Sequence, residues 1–511
     1  MNYVFYDFET TGTNRFFDQP VQIAAILVNE EFEILDQINE KCKLKDGIVP
    51  YPTALLINKV NTETLKNAQS FFEMMNIVHK KFNEWSPATF IGYNSIFFDE
   101  VVLRQSLYQS LYDPYITNTN NNRRADLYNI ILGLVRLNVD LIKIGFNPNT
   151  EKESFKLEYL AQANNIEQKT AHDALSDVHA TIGLAKLVKL KYPEYWNQCM
   201  SISDVKGFRD YLETDDVFVR APSHPSHKYR PISYLTHNPN NLKELAFFDL
   251  ENNAEDYYDS RVQKILSLIE NKNKIIKIIY INQSPIILNS DYIKETKIFS
   301  DVELNKFKLQ SQNLSKQESF INNLNQALVD RQDDRAINQA PPTELEAQIY
   351  SGFSSNQDKE KMNNFRNCTE LEKKYIMSKE FEDPRLREIA YRIIYSESPE
   401  IFSKKELDDR KKFIADRVLS KEEKVDWCTI NKAKQDIADL KANKKYQDQK
   451  DFIDEIEKYI LSEEKRYEKY PKTIPYVASK KESSKLKEVK HEKPQSVRTI
   501  SGGLPSLGKR K

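Results

Sequence analysis

Hydrophobic and polar positions change period along the chain. Tyr3 to Phe8 and Val21 to Val28 are short apolar runs, each read as a buried strand, and Glu33 to Lys43 reads as a third. Thr64 to Trp85 has helical spacing, Thr89 to Tyr93 is a short strand, and Asp99 to Tyr112 and Asp126 to Leu137 are helical. Asp173 to Leu190 is an amphipathic helix ended by Pro193. Strands first, then strands alternating with helices, predict an α/β domain: a sheet flanked by helices.

The texture shifts near residue 200. Asp216 to Arg220, Leu245 to Leu250 and Ile275 to Ile281 are β-like, and Pro222 to His227 is a loop. Thr343 to about Tyr470 is charged, poor in glycine and helical in period. The pattern therefore predicts an α/β domain over 1–197, a small β-rich domain over 198–342, a helical domain over 343–472 and a tail over 473–511. Residues 476–511 hold ten basic and three acidic residues with almost nothing apolar to bury, which predicts disorder: a solubilising tail or a non-specific nucleic-acid arm. No internal repeat is evident.

Composition narrows the class little. The chain of 511 residues carries 75 basic and 76 acidic side chains, so net charge points to no nucleic acid, although a basic groove can be masked by acidic surface elsewhere. Cys42, Cys199, Cys368 and Cys428 are far apart with no CxxC pair, which argues against a zinc knuckle and for reduced thiols in the cytoplasm. No secretory signal precedes the first strand, and no run approaches the ~20 apolar residues of a membrane helix.

The chemistry lies in three segments. In Asp7-Phe8-Glu9 the two acids point to one side of a strand, where like charges repel unless a cation sits between them. Hard cations such as Mg²⁺ choose carboxylate oxygens. In the stretch from Ile91 to Asp99, a strand leads through a turn to an acid at a helix start; taken alone, Asp99 reads first as a helix cap or a first-turn acid favoured by the helix dipole. In Ala171 to Val178, Asp173 is an N-cap, His172 precedes the helix and Asp177 lies one turn inside it. Histidine can take a proton from water near neutral pH. Together Asp7, Glu9, Asp99 and Asp177 with His172 predict a two-metal phosphodiesterase site, with His172 as general base.

These residues resemble the four-acid-plus-histidine exonucleases of the ribonuclease H-like fold. The stretches Tyr6 to Thr13, Ile91 to Asn94, Leu111 to Tyr115, Ser154 to Glu158 and Ala171 to Asp177 resemble, more closely, the bacterial exodeoxyribonuclease I family. The likeness is specific over about 3–190, thin in the middle, and returns at Glu346 to Phe353 and Asp383 to Leu386. It implies a mixed-sheet exonuclease domain, an SH3-like domain and a helical C-terminal domain. It also implies 3′→5′ release of 5′-mononucleotides from single-stranded DNA in repair and recombination, two Mg²⁺ ions with Mn²⁺ able to substitute, and a monomer that meets single-stranded DNA-binding protein. By position, Asp7, Glu9, Asp99 and Asp177 become metal ligands. Thr10, Arg104, Tyr115, Arg124, Phe155 and Lys156 become DNA contacts, as suits cations facing phosphates and aromatic faces stacking on bases. The pattern departs from the family at Ala125, where a tryptophan often stands, and at Lys156, where arginine can. Lysine supplies charge but cannot fork onto a phosphate.

Two other readings are weighed: an RNA-directed or proofreading exonuclease, disfavoured by the roughly 300 residues beyond the catalytic part, and a non-catalytic single-strand clamp, disfavoured by the intact five-residue set.

Overall fold

The computed structural model describes residues 1–470 except 138–141, 149, 169–170, 222–228, 339 and 423. The expected loop from Pro222 to His227 and the basic tail lie outside the described residues.

Strands β1 (Tyr3–Thr10), β2 (Pro20–Val28) and β3 (Ile34–Lys41) form an antiparallel meander. Strands β4 (Thr89–Gly92) and β5 (Arg123–Asp126) add in parallel, giving the mixed order β3-β2-β1-β4-β5. Side chains alternate across a strand. Tyr3, Phe5, Ala24, Ile26 and Val28 therefore enter one core layer, and Val4, Tyr6, Phe8, Ile23, Ala25 and Leu27 the other. Both faces are covered, which is why β1 and β2 read as continuous apolar runs. The helix Ala174–Lys191 packs against β1 and β2 on the first face. The helices Phe71–Glu84 and Asp99–Tyr108 supply the second.

Boundaries differ from the sequence reading for local reasons. The helix expected over Thr64 to Trp85 is two, Thr62–Asn67 and Phe71–Glu84. Ser70 breaks the run by forming a capping box with Glu73, satisfying backbone donors at the second start. Asp126 ends β5, so the following helix is Leu127–Leu137. Pro193 is the first residue of the next helix, Pro193–Ser201, where its missing N–H costs nothing. A short hairpin, β6 (Gly145–Asn147) with β7 (Lys152–Ser154), lies between the helices Leu127–Leu137 and Ala174–Lys191.

The middle segment holds an antiparallel sheet of β8 (Phe218–Arg220), β9 (Arg230–Asn238), β10 (Asn241–Asp249), β11 (Ile276–Tyr280) and β12 (Ile287–Asn289), ordered β11-β10-β9-β8-β12. Beyond it the chain turns helical, through Ser290–Thr296, Asp301–Leu314 and Glu318–Asn338. These helices are rich in Asn and Gln, and only a thin stripe such as Phe320, Leu324, Ala327 and Leu328 is buried, so their apolar period is faint. From Asn356 to Glu468 the chain is helical, as its composition predicts.

The cores do not stop at the compositional boundaries. One runs from Phe5 through Phe248 to Leu328. Another joins Leu55, Phe72 and Leu111 to Leu386, Ile393, Ile437 and Ile460. Among the described residues no helix is long and apolar enough to cross a membrane.

Candidate active site

Asp7 and Glu9 continue the face of β1 that begins with Tyr3 and Phe5, and on that face lies the helix Ala174–Lys191. Its N-cap is Asp173, whose carboxylate accepts the Ser176 N–H at 3.2 Å and the Gln22 side-chain amide at 3.2 Å. One turn in, Asp177 meets the strand. Carboxylate oxygens of Asp7, Glu9 and Asp177 all lie within 4.8 Å of one another. Asp99 arrives from the other side. The parallel pairing of β1 with β4 ends at Phe5 with Ile91, and farther along the Phe8 N–H donates to Asp99 Oδ1 at 3.1 Å. Asp99 flanks the trio, and its charge is felt by both Asp7 and Glu9.

Burial, then the neighbouring acids, pushes the Asp7 carboxyl well above the usual carboxylate range and raises Glu9 to about 8. Burial likewise raises Asp99 to about 7, opposed by the Phe8 N–H. Asp177 is raised by burial, less so because Gln168 donates to it at 2.7 Å and His172 is close. An all-oxygen trio held at such electrostatic cost suits a hard divalent cation.

His172 lies in the left-handed backbone region, φ 62°, which turns the chain abruptly into the helix. Its Nε2 is 3.8 Å from Glu158 Oε2, and its side chain is 46% exposed. It opens on a cavity of about 490 Å³ lined also by Tyr93, Asn94, Phe155, Lys156 and Asp177. All five expected catalytic residues thus lie in or beside one site.

The expected DNA contacts fall into two groups and one exception. Lys156 is exposed beside the catalytic cavity, and Phe155 forms part of its wall while remaining mostly buried. Arg104 and Arg124 instead converge on buried Glu100, which accepts Arg104 Nε at 2.8 Å, Arg124 Nη1 at 2.9 Å, Thr117 Oγ1 at 2.7 Å and the Tyr6 hydroxyl at 3.1 Å. Tyr115 lies under the Arg104 guanidinium, 5.1 Å from ring centroid to Cζ, and 6.2 Å from the ring of Phe353, which is 85% exposed. These two rings line a second cleft of about 440 Å³ with Tyr350, Lys359 and Arg366. Lys243 of β10 reaches the arginine pair: burial, then Arg124 and Arg104, holds its ammonium below the usual value. Thr10 is buried, its hydroxyl donating to the Gly12 carbonyl at 2.6 Å.

Glu100, Glu158, Gln168 and Asp126 had no role in the sequence reading. Only Glu100 left a trace there, its spacing of four to Arg104 along a helix. The buried Asp126 carboxylate accepts the N–H groups of Asn94 at 2.9 Å, Ile96 at 3.1 Å and Tyr128 at 3.0 Å, and so fixes the turn between β4 and the Asp99 helix.

A mixed five-stranded sheet with clustered acids at the end of its central strand defines an exonuclease of the ribonuclease H-like class, and residues 4–185 match the exonuclease family. Residues 343–463 match the exonuclease I C-terminal domain. Over both matched stretches the chain is similar to exodeoxyribonucleases I. It is 29% identical over 411 residues to exodeoxyribonuclease I of Buchnera aphidicola subsp. Schizaphis graminum, covering 77% of this chain and 82% of the relative. To exodeoxyribonuclease I of Escherichia coli strain K12 it is 27% identical over 387 residues, 70% of this chain and 78% of the relative. In fold it resembles exonuclease I from Methylocaldum szegediense, with a TM-score of 0.76 at 22% identity over 91% of this chain and 99% of that one. It also resembles E. coli exonuclease I in complex with a dT13 oligonucleotide, with a TM-score of 0.74 at 21% identity over 90% and 99%.

Proposed function

We propose that this chain is a 3′→5′ exodeoxyribonuclease that degrades single-stranded DNA to 5′-mononucleotides. The observation that carries this reading is the convergence of Asp7, Glu9 and Asp177 within 4.8 Å, with Asp99 alongside and His172 at the mouth of the adjoining cavity. Asp7, Glu9, Asp99 and Asp177 would hold two Mg²⁺ ions, with Mn²⁺ as a substitute; bound there, the ions would supply Lewis-acid stabilisation to an in-line displacement at phosphorus. The chain's own groups do the rest. His172 takes the proton of the attacking water, and Glu158, 3.8 Å from its Nε2, orients the ring. Lys156 meets a phosphate near the scissile bond, and Phe155 backs the terminal nucleotide. Farther along, Arg104, Arg124 and Lys243 form a cationic stretch beside the Tyr115 ring, as a bound single strand requires. Thr10, beside Glu9, contacts the strand through its backbone, since its hydroxyl is engaged.

The family resemblance supports the wider setting: an SH3-like middle domain, a monomer that works in repair and recombination, and an encounter with single-stranded DNA-binding protein. Four unbridged cysteines fit the cytoplasm. End-labelled single- and double-stranded DNA with Mg²⁺ tests the core of the proposal. Loss should begin at the 3′ end of the single strand, stop on adding EDTA, and resist competition by RNA. Loss from the 5′ end, or cleavage that survives EDTA, would overturn it.

A further inference from the structure

Arg220 ends β8 opposite Arg230 of β9, and like charges directly across a ladder are unfavourable. The two are treated differently. Arg230 pairs with Asp249 and Glu251. Arg220 is half-buried, and among the described residues no carboxylate or other acceptor engages its guanidinium; burial alone holds its pKa below the usual arginine value. A desolvated, unpaired cation is costly unless an anion comes to it.

The surroundings select that anion. Arg220 lines a cavity of about 240 Å³ between the exonuclease domain and the middle sheet, with Asn94, Phe97, Tyr128, Asn129, Tyr280 and Gln283 among its walls. Among the described residues its lining holds one cation and no acid. Asn94 and Tyr128 also line the catalytic cavity, so the two spaces adjoin. A strand whose 3′ end sits at Asp7 and Asp177 can pass Asn94 and Tyr128 and place a backbone phosphate against Arg220, whose planar fork matches phosphate oxygens.

We propose that Arg220 is a phosphate-binding residue for the same DNA strand, away from the scissile bond. This rests on the exonuclease reading above. The test uses the full chain. R220Q should raise KM for a long single-stranded oligonucleotide about tenfold while kcat holds, since a charge-assisted hydrogen bond to phosphate is lost. The slope of log affinity against log salt should become shallower by about 0.7. R220K should recover most of the affinity. Removing an unpaired cation should leave the melting temperature the same or higher, whereas a purely structural role would lower it.

A scan of oligonucleotides, each carrying one neutral methylphosphonate, should find in EDTA one linkage whose neutralisation weakens the wild type and not R220Q. An unaltered KM and salt slope in R220Q, or no such linkage, would overturn the proposal with the exonuclease reading intact. A wild type that cleaves no single strand would sink both. Weakened binding of an acidic peptide by R220Q, with DNA binding unmoved, would reassign the cavity to a protein partner and also overturn it.

Discussion

Asp7, Glu9 and Asp99 stand where burial and mutual repulsion favour the protonated form, so their charge opposes folding when no cation is present. A carboxyl whose folded pKa is raised contributes stability below its unfolded pKa of ~4 and loses it as pH climbs through the folded value. The metal-free protein should therefore weaken between about pH 4 and pH 8, the upper limit set by Glu9 at about 8. D7N should remove Mg²⁺-dependent cleavage and yet melt about 2 °C or more higher than wild type in EDTA at pH 8, with the gap closing toward pH 4. Calorimetry at both pH values checks this; a less stable D7N in EDTA at pH 8 would contradict the charge argument. H172A belongs to the same scale but touches the proton rather than the charge. It should slow turnover by about 10²–10⁴ while single-strand binding in EDTA stays near wild type. Turnover equal to wild type would remove His172 from the mechanism.

Elements bring these residues together only because their ends are fixed. Asp126 is the example. One buried carboxylate takes three backbone N–H groups of the turn that follows β4 and of the helix that follows β5. Without it those donors are left in a dry interior, at about 1–3 kcal/mol for a buried unsatisfied group. D126A should lower stability by roughly 3 kcal/mol in urea denaturation and reduce cleavage, because the turn positions both Asn94 and the helix bearing Asp99. A variant as stable as wild type would mean that water replaces the carboxylate there. Asp173 does related work as the N-cap of the helix that carries Asp177.

At the scale of the molecule, the helical C-terminal part is joined to the exonuclease domain through a shared core and through buried and half-buried polar ties. Thr53 donates its N–H and hydroxyl to Asp436, at 2.7 and 2.6 Å, and Gln105 donates to the Glu346 carbonyl at 2.8 Å. A chain cut after residue 342 would leave Leu55, Phe72 and Leu111 facing water. It should bind a hydrophobic dye and aggregate; a monodisperse, dye-negative fragment would show that the exonuclease part stands alone. Glu346 adds an acid-sensitive element to this junction. Burial opposes its charge, but Arg392 and Arg417 outweigh burial and hold its carboxyl at about 2. A depressed carboxyl contributes stability above its unfolded pKa of ~4.3 and loses it as pH falls through the folded value, here on the order of 3 kcal/mol. E346Q should be less stable at pH 7 and should lose less than wild type between pH 4 and pH 2, as followed by urea midpoints across that range.

What is local and periodic could be read along the chain. β1 and β2 are legible because burial on both faces makes them continuous apolar runs, and the Asp173 cap is legible because a capping side chain acts within three residues. Asp7 and Glu9 share a side because a strand alternates with period two. Asp99, His172 and Asp177 are legible as candidates from their places at or before helix starts, and the likeness to a known family strengthens their grouping with Asp7 and Glu9, with no account of how they meet. Tertiary structure decided the rest. Glu100 holding Arg104 and Arg124 and Asp126 fixing a turn 30 residues away depend on residues distant in the chain, as does an Arg220 that meets no acid among the described residues, and no periodicity records them. The helices from Ser290 to Asn338 were faint for a related reason: their polar surfaces hide a stripe whose meaning depends on the sheet it packs against. Local pattern fixes which face of each element is apolar. Only the packing of those faces decides which polar groups are left together, and chemistry is done where they are.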